Sequence, residues 1–155
     1  QFPEGIGGQH LDTLARQFLW NEGLDFDHGT GHGVGAYLNV HEGPHRIGKG
    51  SNNIPLREGM VVSNEPGYYE NEKFGIRIEN LIFVKKIGEV NGKKLLGFEN
   101  LTFVPIDIRL LDYSLLTNKE KDWLNDYHKQ VFEKIGPYVE GEVSEWLGKA
   151  VRSLK

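Results

Sequence analysis

In the sequence HGTGHGVG at residues 28–35, every second residue is a glycine, from Gly29 to Gly35. Interior glycines cost a helix about 1 kcal/mol each relative to alanine, so a stable helix is not expected here. Glycine backbone can pass close to a ligand, and the imidazoles of His28 and His32 are of the type that binds metals and carries protons. We therefore predict extended segments around a glycine loop over residues 24–41, with the chemistry of the protein concentrated there.

Helix and strand patterns flank this loop. An apolar stripe that begins at Leu11 has the spacing of an amphipathic helix, which should end at Gly23. Downstream, strands are predicted over residues 60–63, 75–86 and 95–104. The Asn91-Gly92 pair between the last two is typical of a hairpin turn, so these strands should be antiparallel.

The last third of the chain has a helical pattern. Thr117 and Glu120 fit a capping box, and the helix that they begin should stop at Gly136. A second apolar stripe then predicts another helix. We expect one apolar strip of this pair to pack on the strands or on another subunit. The strip includes Trp123, Trp146 and Leu147.

The composition limits the classes of protein that this chain can represent. Its 155 residues carry 18 Lys and Arg against 22 Asp and Glu, a net charge of −4, which argues against a nucleic-acid binder. Hydrophobic residues, at 38%, suffice for one globular core, and no apolar run reaches the roughly 18 residues of a membrane span. The absence of cysteine excludes a disulfide, a zinc ribbon and a thiol nucleophile, and a cytoplasmic location is expected.

Three histidines, His28, His32 and His41, lie within 14 residues. Such a cluster suits metal binding or acid–base chemistry, although each histidine taken singly fits an ordinary structural role equally well. Two familiar motifs fail at this place. The relaxed dinucleotide pattern that starts at Gly31 opens no helix, and the spacing of His28 and His32 lacks the helix and the glutamate of a zincin pair.

Two carboxylates stand in motifs of their own, Glu65 in NEPGYY at residues 64–69 and Glu79 in GIRIEN at residues 75–80. Glu79 lies in a largely apolar run, where an ionised carboxylate is costly unless it is paired or bound to a metal. Strand alternation places Arg77 on the same face, so a structural ion pair with Glu79 is an equal alternative. Glu65 by itself fits a solvated turn residue better than a ligand.

The motifs HGTGHGVG, NVHEGP, NEPGYY and GIRIEN, in this order and at these intervals, resemble the aminopeptidase P branch of the pita-bread metallopeptidases. The resemblance is closest to the three-domain cytosolic X-Pro aminopeptidases, whose C-terminal extension is similar to the helical tail of this chain. It implies an α+β fold, with the C-terminal half of a pita-bread catalytic domain, an antiparallel sheet with covering helices, at residues 1–92. The C-terminal strand and helical extension of the same domain would occupy residues 93–155.

The resemblance implies that His32, Glu65 and Glu79 are metal ligands. The family usually uses two divalent ions, and carboxylates with a single imidazole suit Mn best, with Zn or Co as alternatives. Glu79 would bridge both ions. Glu65 would bind one ion and pass protons to and from the bridging water.

The same resemblance implies three further catalytic residues. His41 would contact the scissile carbonyl and its tetrahedral intermediate as an electrophilic partner. His28 would lie near the proline side of the substrate. Arg77 would hold the Glu79 carboxylate in place.

One departure from the family pattern concerns the ligand set. The family's site also takes two Asp ligands from an upstream strand pair. The only Asp residues before His32 are Asp12, Asp25 and Asp27, and none of them fits. We therefore expect this chain to carry part of the ligand set and to be inactive by itself.

The leading hypothesis is a metal-dependent aminopeptidase that removes the N-terminal residue from peptides with Pro in the second position. Its partners would be proline-containing peptides, with neither nucleic acid nor membrane, and the whole protein would be a homodimer. One alternative is a non-catalytic pita-bread module that binds peptides or proteins, as in a histone-chaperone subunit. Another keeps the chemistry and changes the substrate to a methionyl, creatine or X-Pro dipeptide type.

Overall fold

The computed structural model describes residues 1–37, 39–50 and 53–154. Within those ranges the strands are β1 Phe2–Pro3, β2 Gly31–His32, β3 Arg46–Ile47, β4 Val61–Asn64, β5 Gly67–Glu70, β6 Phe74–Arg77, β7 Asn80–Val90 and β8 Lys93–Asn100. The α-helices are α1 Gly8–Asn21, α2 Asn118–Ile135 and α3 Gly141–Ala150, with 3-10 turns at Ile108–Leu110 and Gly136–Tyr138. Helices beside antiparallel strands confirm the predicted α+β class.

The chain divides into two compact units, Gln1–Thr102 and Phe103–Lys155. The first unit contains α1 and all the described strands, and the second contains α2 and α3. Each unit has an apolar core of its own. None of the helices in the described ranges combines the length and the apolar character that a membrane span requires.

The first unit is built on an antiparallel sheet with the strand order β1-β8-β7-β4. The predicted hairpin between β7 and β8 is confirmed, since Asn91 and Gly92 turn there with φ values of 52° and 75°. Helix α1, also predicted, begins against β3. A Cβ atom on Gly8 would lie only 1.9 Å from the Arg46 carbonyl oxygen, so a glycine is required for this approach. The helix is thereby seated beside the β2–β3 pair that carries His32.

The strand predicted over residues 75–86 is in fact two strands. β6 ends at Arg77 and pairs with β5, whereas β7 begins at Asn80 and pairs with β4. The prediction that Arg77 and Glu79 share one strand face is therefore wrong, because the chain changes partner strands between them. Apolar residues lie on both sides of the break, at Ile76 and Ile78 and again over residues 81–84, so the sequence pattern does not reveal it.

The second unit confirms the capping box and both predicted helices. Thr117 accepts the Glu120 N–H, and the Glu120 side chain accepts in return from the Thr117 backbone. Leu147 is buried in the apolar core of its own unit, whereas Trp123 and Trp146 leave 56% and 58% of their surface exposed. The packing of this strip on the strands or on another subunit stays a prediction. In each helix the residue that follows the tryptophan is the buried one, Leu124 in α2 and Leu147 in α3.

A buried histidine lies in the core of this unit. His128 on α2 is 1% exposed, and its Nε2 accepts a hydrogen bond from the Ile106 N–H at 3.1 Å. Its Nδ1 finds no hydrogen-bond partner among the described residues. Burial lowers the pKa of His128 below its ordinary value of 6.5, because a charged imidazole is poorly solvated there.

The free energy of unfolding is therefore expected to fall as the pH drops below about 6.5. His128 is then protonated in the unfolded chain but stays neutral in the folded protein. The free energy of unfolding therefore falls by up to about 1.4 kcal/mol per pH unit until the pKa of the folded state is reached. Chemical denaturation between about pH 7.5 and 5.5 measures this slope. In a His128→Leu variant the slope should be smaller, and an identical slope would contradict the prediction.

Candidate active site

Two motifs that are far apart in the sequence meet where β2 crosses the end of β4. A Cβ atom on Gly31 would lie 1.9 Å from the Ser63 carbonyl oxygen, so only glycine permits this approach. The Glu65 N–H, just beyond β4, donates to the Thr30 carbonyl at 2.7 Å. Ser63 Oγ accepts the His32 N–H at 3.0 Å. These contacts place the His32 and Glu65 side chains together.

The Glu65 carboxylate is 8% exposed and is held from several sides. Oε1 accepts from Ser63 Oγ at 2.9 Å and lies 3.2 Å from His32 Nε2. Oε2 accepts from Arg77 Nη1 at 2.8 Å. The family resemblance implied that Arg77 would hold Glu79, but its guanidinium donates to the Glu65 carboxylate. The buried position of Glu65 also excludes the solvated-turn alternative.

The chemistry of the facing His32 and Glu65 atoms fits a cation. His32 Nδ1 lies 2.9 Å from the Gly33 carbonyl, which can only accept, so Nδ1 carries a proton. In the neutral tautomer the Nε2 lone pair then faces the Glu65 oxygen, and two acceptors at this distance require a proton or a metal ion between them. A histidine whose other nitrogen donates to a carbonyl is also the usual arrangement of a metal ligand.

A hydrogen-bonded chain links His28 to the same carboxylate. His28 Nδ1 donates to the Gly29 carbonyl at 2.8 Å, so Nε2 accepts from the Tyr69 hydroxyl at 2.7 Å. The Tyr69 oxygen in turn accepts from Arg77 Nε at 2.5 Å. This hydrogen bond with Tyr69 raises the pKa of Arg77 above its ordinary value, and the charge of Glu65 acts in the same direction.

Tyr69 belongs to the NEPGYY motif, but no role was predicted for it from the sequence. A signal was present on the paired strand, where Gly75 stands opposite Tyr69. A Cβ atom at Gly75 would lie 2.7 Å from the Tyr69 ring, so the missing side chain leaves room for the ring to lie across the hairpin. That position is what brings the hydroxyl to His28.

His41 completes the cluster that the histidine spacing indicated. Its ring centroid lies 4.2 Å from that of His32, with an interplanar angle of 47°. A cavity of about 470 Å³ is lined by five of the six residues that the sequence singled out, together with the basic residues Arg16, Arg46 and Lys49. The predicted residues on its wall are His28, His32, His41, Glu65 and Arg77.

Glu79 occupies a different position. It is exposed, in the short connection between β6 and β7, and its charge helps to raise the pKa of Arg77. Across residues 1–37, 39–50 and 53–154, no group of three or more His, Cys, Asp or Glu side chains is arranged to hold a metal ion. The structure therefore brings His32 and Glu65 together, and the ligand role of Glu79 stays a prediction.

Known proteins match this chain along nearly its whole length. Residues 1–86 match the family described as metallopeptidase family M24, and residues 94–154 match the C-terminal region of peptidase M24. Aminopeptidase P2 of Arabidopsis thaliana is 54% identical over an alignment of 158 positions, which covers 99% of this chain and 22% of that protein. A probable Xaa-Pro aminopeptidase P of Sclerotinia sclerotiorum is 51% identical over an alignment of 160 positions, which covers 99% of this chain and 27% of that protein.

One solved structure is similar over the same extent. It is X-prolyl aminopeptidase from Caenorhabditis elegans, a cytosolic enzyme with a di-nuclear active site. It superposes with a TM-score of 0.90 and 44% identity, over 99% of this chain and 26% of that one. The chain thus spans about a quarter of the length of these relatives.

Proposed function

The chain belongs to metallopeptidase family M24, and on that premise we propose that the whole protein is a metal-dependent aminopeptidase acting on peptides with Pro in the second position. Family membership and the match in fold bear out the predicted C-terminal part of a pita-bread metallopeptidase with its extension. The observation that carries the proposed activity is the contact between His32 Nε2 and the buried Glu65 carboxylate. A metal ligand pair fits this contact, and relatives of about 50% identity are named Xaa-Pro aminopeptidases.

We propose that His32, Glu65 and Glu79 hold two divalent ions in the whole protein. When bound, such ions polarise a peptide carbonyl and make water a nucleophile near neutral pH. The number is supported by the di-nuclear site of the C. elegans enzyme. Carboxylate oxygens with one imidazole favour Mn²⁺, with Zn²⁺ or Co²⁺ as alternatives.

The residues of this chain then have distinct tasks. Glu65 moves a proton from the attacking water to the leaving proline nitrogen, and Arg77 and Ser63 fix its carboxylate for that transfer. His41, beside the His32 ring, donates a hydrogen bond to the oxygen of the scissile carbonyl as negative charge develops there. His28, held by Tyr69, lies at the proline side of the cavity.

The remaining predictions extend this proposal to the whole protein. Its substrates are proline-containing peptides, and it forms a homodimer. It acts in the cytoplasm, a location supported by the C. elegans relative, which is a cytosolic enzyme. The division at residues 92 and 93 between the catalytic part and the extension also stays a proposal. The boundary in the sequence between the two compact units falls between Thr102 and Phe103. The two family matches cover residues 1–86 and 94–154, so residues 87–93 belong to neither match.

The test is peptide hydrolysis by the metal-stripped whole protein after addition of Mn²⁺, Zn²⁺ or Co²⁺. An Xaa-Pro tripeptide should be cleaved at least about 100-fold faster, in kcat/KM, than the same peptide with Ala in the second position, a ratio that a shaped pocket can provide. Restored turnover with Mn²⁺ above that with the other ions would support the metal assignment. Equal rates on the two peptides would contradict the proposed specificity, and peptide binding without turnover would favour a non-catalytic module.

A further inference from the structure

A buried arginine lies directly behind the candidate site. Arg16 on α1 is 0% exposed, and all three of its guanidinium nitrogens donate hydrogen bonds. Nε donates to Asp12 Oδ2 and Nη1 to Asp25 Oδ1, both at 2.7 Å. Nη1 also donates to the Phe26 carbonyl at 2.5 Å, and Nη2 donates to the His28 carbonyl at 2.6 Å. The guanidinium therefore ties α1 to the chain that leads into the histidine motif.

The two carbonyls belong to a segment with little structure of its own. Residues 24–30 form neither helix nor strand, although they deliver His28 to the cavity. The Arg16 guanidinium also lies 3.8 Å from the centre of the Phe26 ring, which covers it. Because the guanidinium is planar with donors in a fixed geometry, it sets the positions of the Phe26 and His28 carbonyls relative to each other.

A second chain of hydrogen bonds connects Arg16 to Glu65, the proposed general base. Asp12, whose Oδ2 binds Arg16, accepts the Thr30 hydroxyl through Oδ1 at 2.6 Å. The carbonyl of the same Thr30 accepts the Glu65 N–H at 2.7 Å. A single buried ion pair on α1 is thus linked to the backbones of both His28 and Glu65.

The positive charge of Arg16 is balanced by the carboxylates of Asp12 and Asp25. Burial acts to lower its pKa, but the hydrogen bonds that Arg16 donates to Asp12 and Asp25 raise it above the ordinary value. Asp25 is also bound by Lys49. Buried ion pairs of this kind add little net stability, because desolvation offsets most of the attraction. An apolar residue in place of Arg16 would leave the buried Asp12 carboxylate without its charged partner and the Phe26 and His28 carbonyls without a donor.

We propose that Arg16 is a positioning residue of the peptidase site, which holds the His28 segment directly and Glu65 through Asp12 and Thr30. The inference rests on the proposed function for its kinetic consequence only, since the geometric consequence concerns the chain itself. A displacement of about 1 Å at a reacting group can cost about 100-fold in rate. Arg16 therefore acts on catalysis without touching substrate.

The experiment compares Arg16→Lys with the unchanged whole protein. Lysine keeps the positive charge between the carboxylates, but one ammonium cannot reproduce the guanidinium contacts to both carbonyls. We expect kcat on an Xaa-Pro tripeptide to fall about 10- to 100-fold per folded molecule, with KM changed less than about threefold. Arg57→Lys, at an exposed arginine of the same unit, is the matched control and should leave both constants unchanged.

Two further measurements make the test decisive. Crystal structures of the metal-free proteins should show residues 24–30 displaced in Arg16→Lys, whether or not the protein proves to be a peptidase. If Arg16→Lys does not fold, Thr30→Val removes only the hydroxyl bound to Asp12, and it should also lower kcat with little change in KM. An unchanged kcat per folded molecule, or an undisplaced segment, would overturn the inference. An unchanged protein that cleaves no Xaa-Pro peptide would instead overturn the proposed function.

Discussion

A Glu65→Gln variant of the whole protein is expected to lose at least about 1,000-fold in kcat on an Xaa-Pro peptide, because one change removes a metal ligand and the proton carrier together. The amide keeps the shape of the side chain and has one oxygen that can accept from Ser63 or from Arg77. It has no negative charge with which to bind a cation beside His32 Nε2, and it cannot take a proton from water at neutral pH.

The same substitution should cost only a moderate amount of stability. Loss of the charged partner of Arg77 is worth about 1–3 kcal/mol, so folding must be verified by the melting temperature before the kinetics are compared. Glu99→Gln is the matched control, since it replaces an exposed carboxylate that binds Lys85 on the sheet. Turnover by Glu65→Gln within about tenfold of the unchanged protein would show that Glu65 is not the general base.

Local sequence signals predicted the elements that depend on local physics. The α1 stripe, the Asn91-Gly92 turn and the Thr117 capping box each involve residues within a few positions of one another, and each is present in the structure. The break after Arg77 was missed because it depends on which strand the chain pairs with. An alternating pattern is the same for a strand that continues and for one that changes partners.

The residues of the candidate site likewise divide into those that local motifs predicted and those that depend on long-range contacts. The motifs pointed to His32 and Glu65, and the structure brings them within 3.2 Å of each other. Tyr69 and Arg16 were not found, since their importance arises from hydrogen bonds to residues that are distant in the sequence or to backbone carbonyls. No residue-type pattern encodes a bond to a carbonyl, because every residue has one.

At Glu79, a substitution should affect activity and stability very differently, which separates a functional role from a structural one. Its side chain is exposed, so Glu79→Gln should change the free energy of unfolding by less than about 0.5 kcal/mol. If the carboxylate bridges two ions in the whole protein, the same substitution should reduce kcat by at least about 1,000-fold and lower the number of bound metal ions per chain. Activity would then collapse while stability stays constant, a combination that no packing effect produces.

The measurements are the melting temperature, the metal content after dialysis against Mn²⁺, and the hydrolysis of an Xaa-Pro tripeptide. Glu89→Gln is the matched control, because it removes another exposed carboxylate shortly downstream, on β7, where it pairs with Lys86 at 3.5 Å. Both variants lose one negative charge, so a general effect of net charge on metal affinity would appear in both. A Glu79→Gln protein with full metal content and full turnover would remove Glu79 from the ligand set and leave His32 and Glu65 as the pair from this chain.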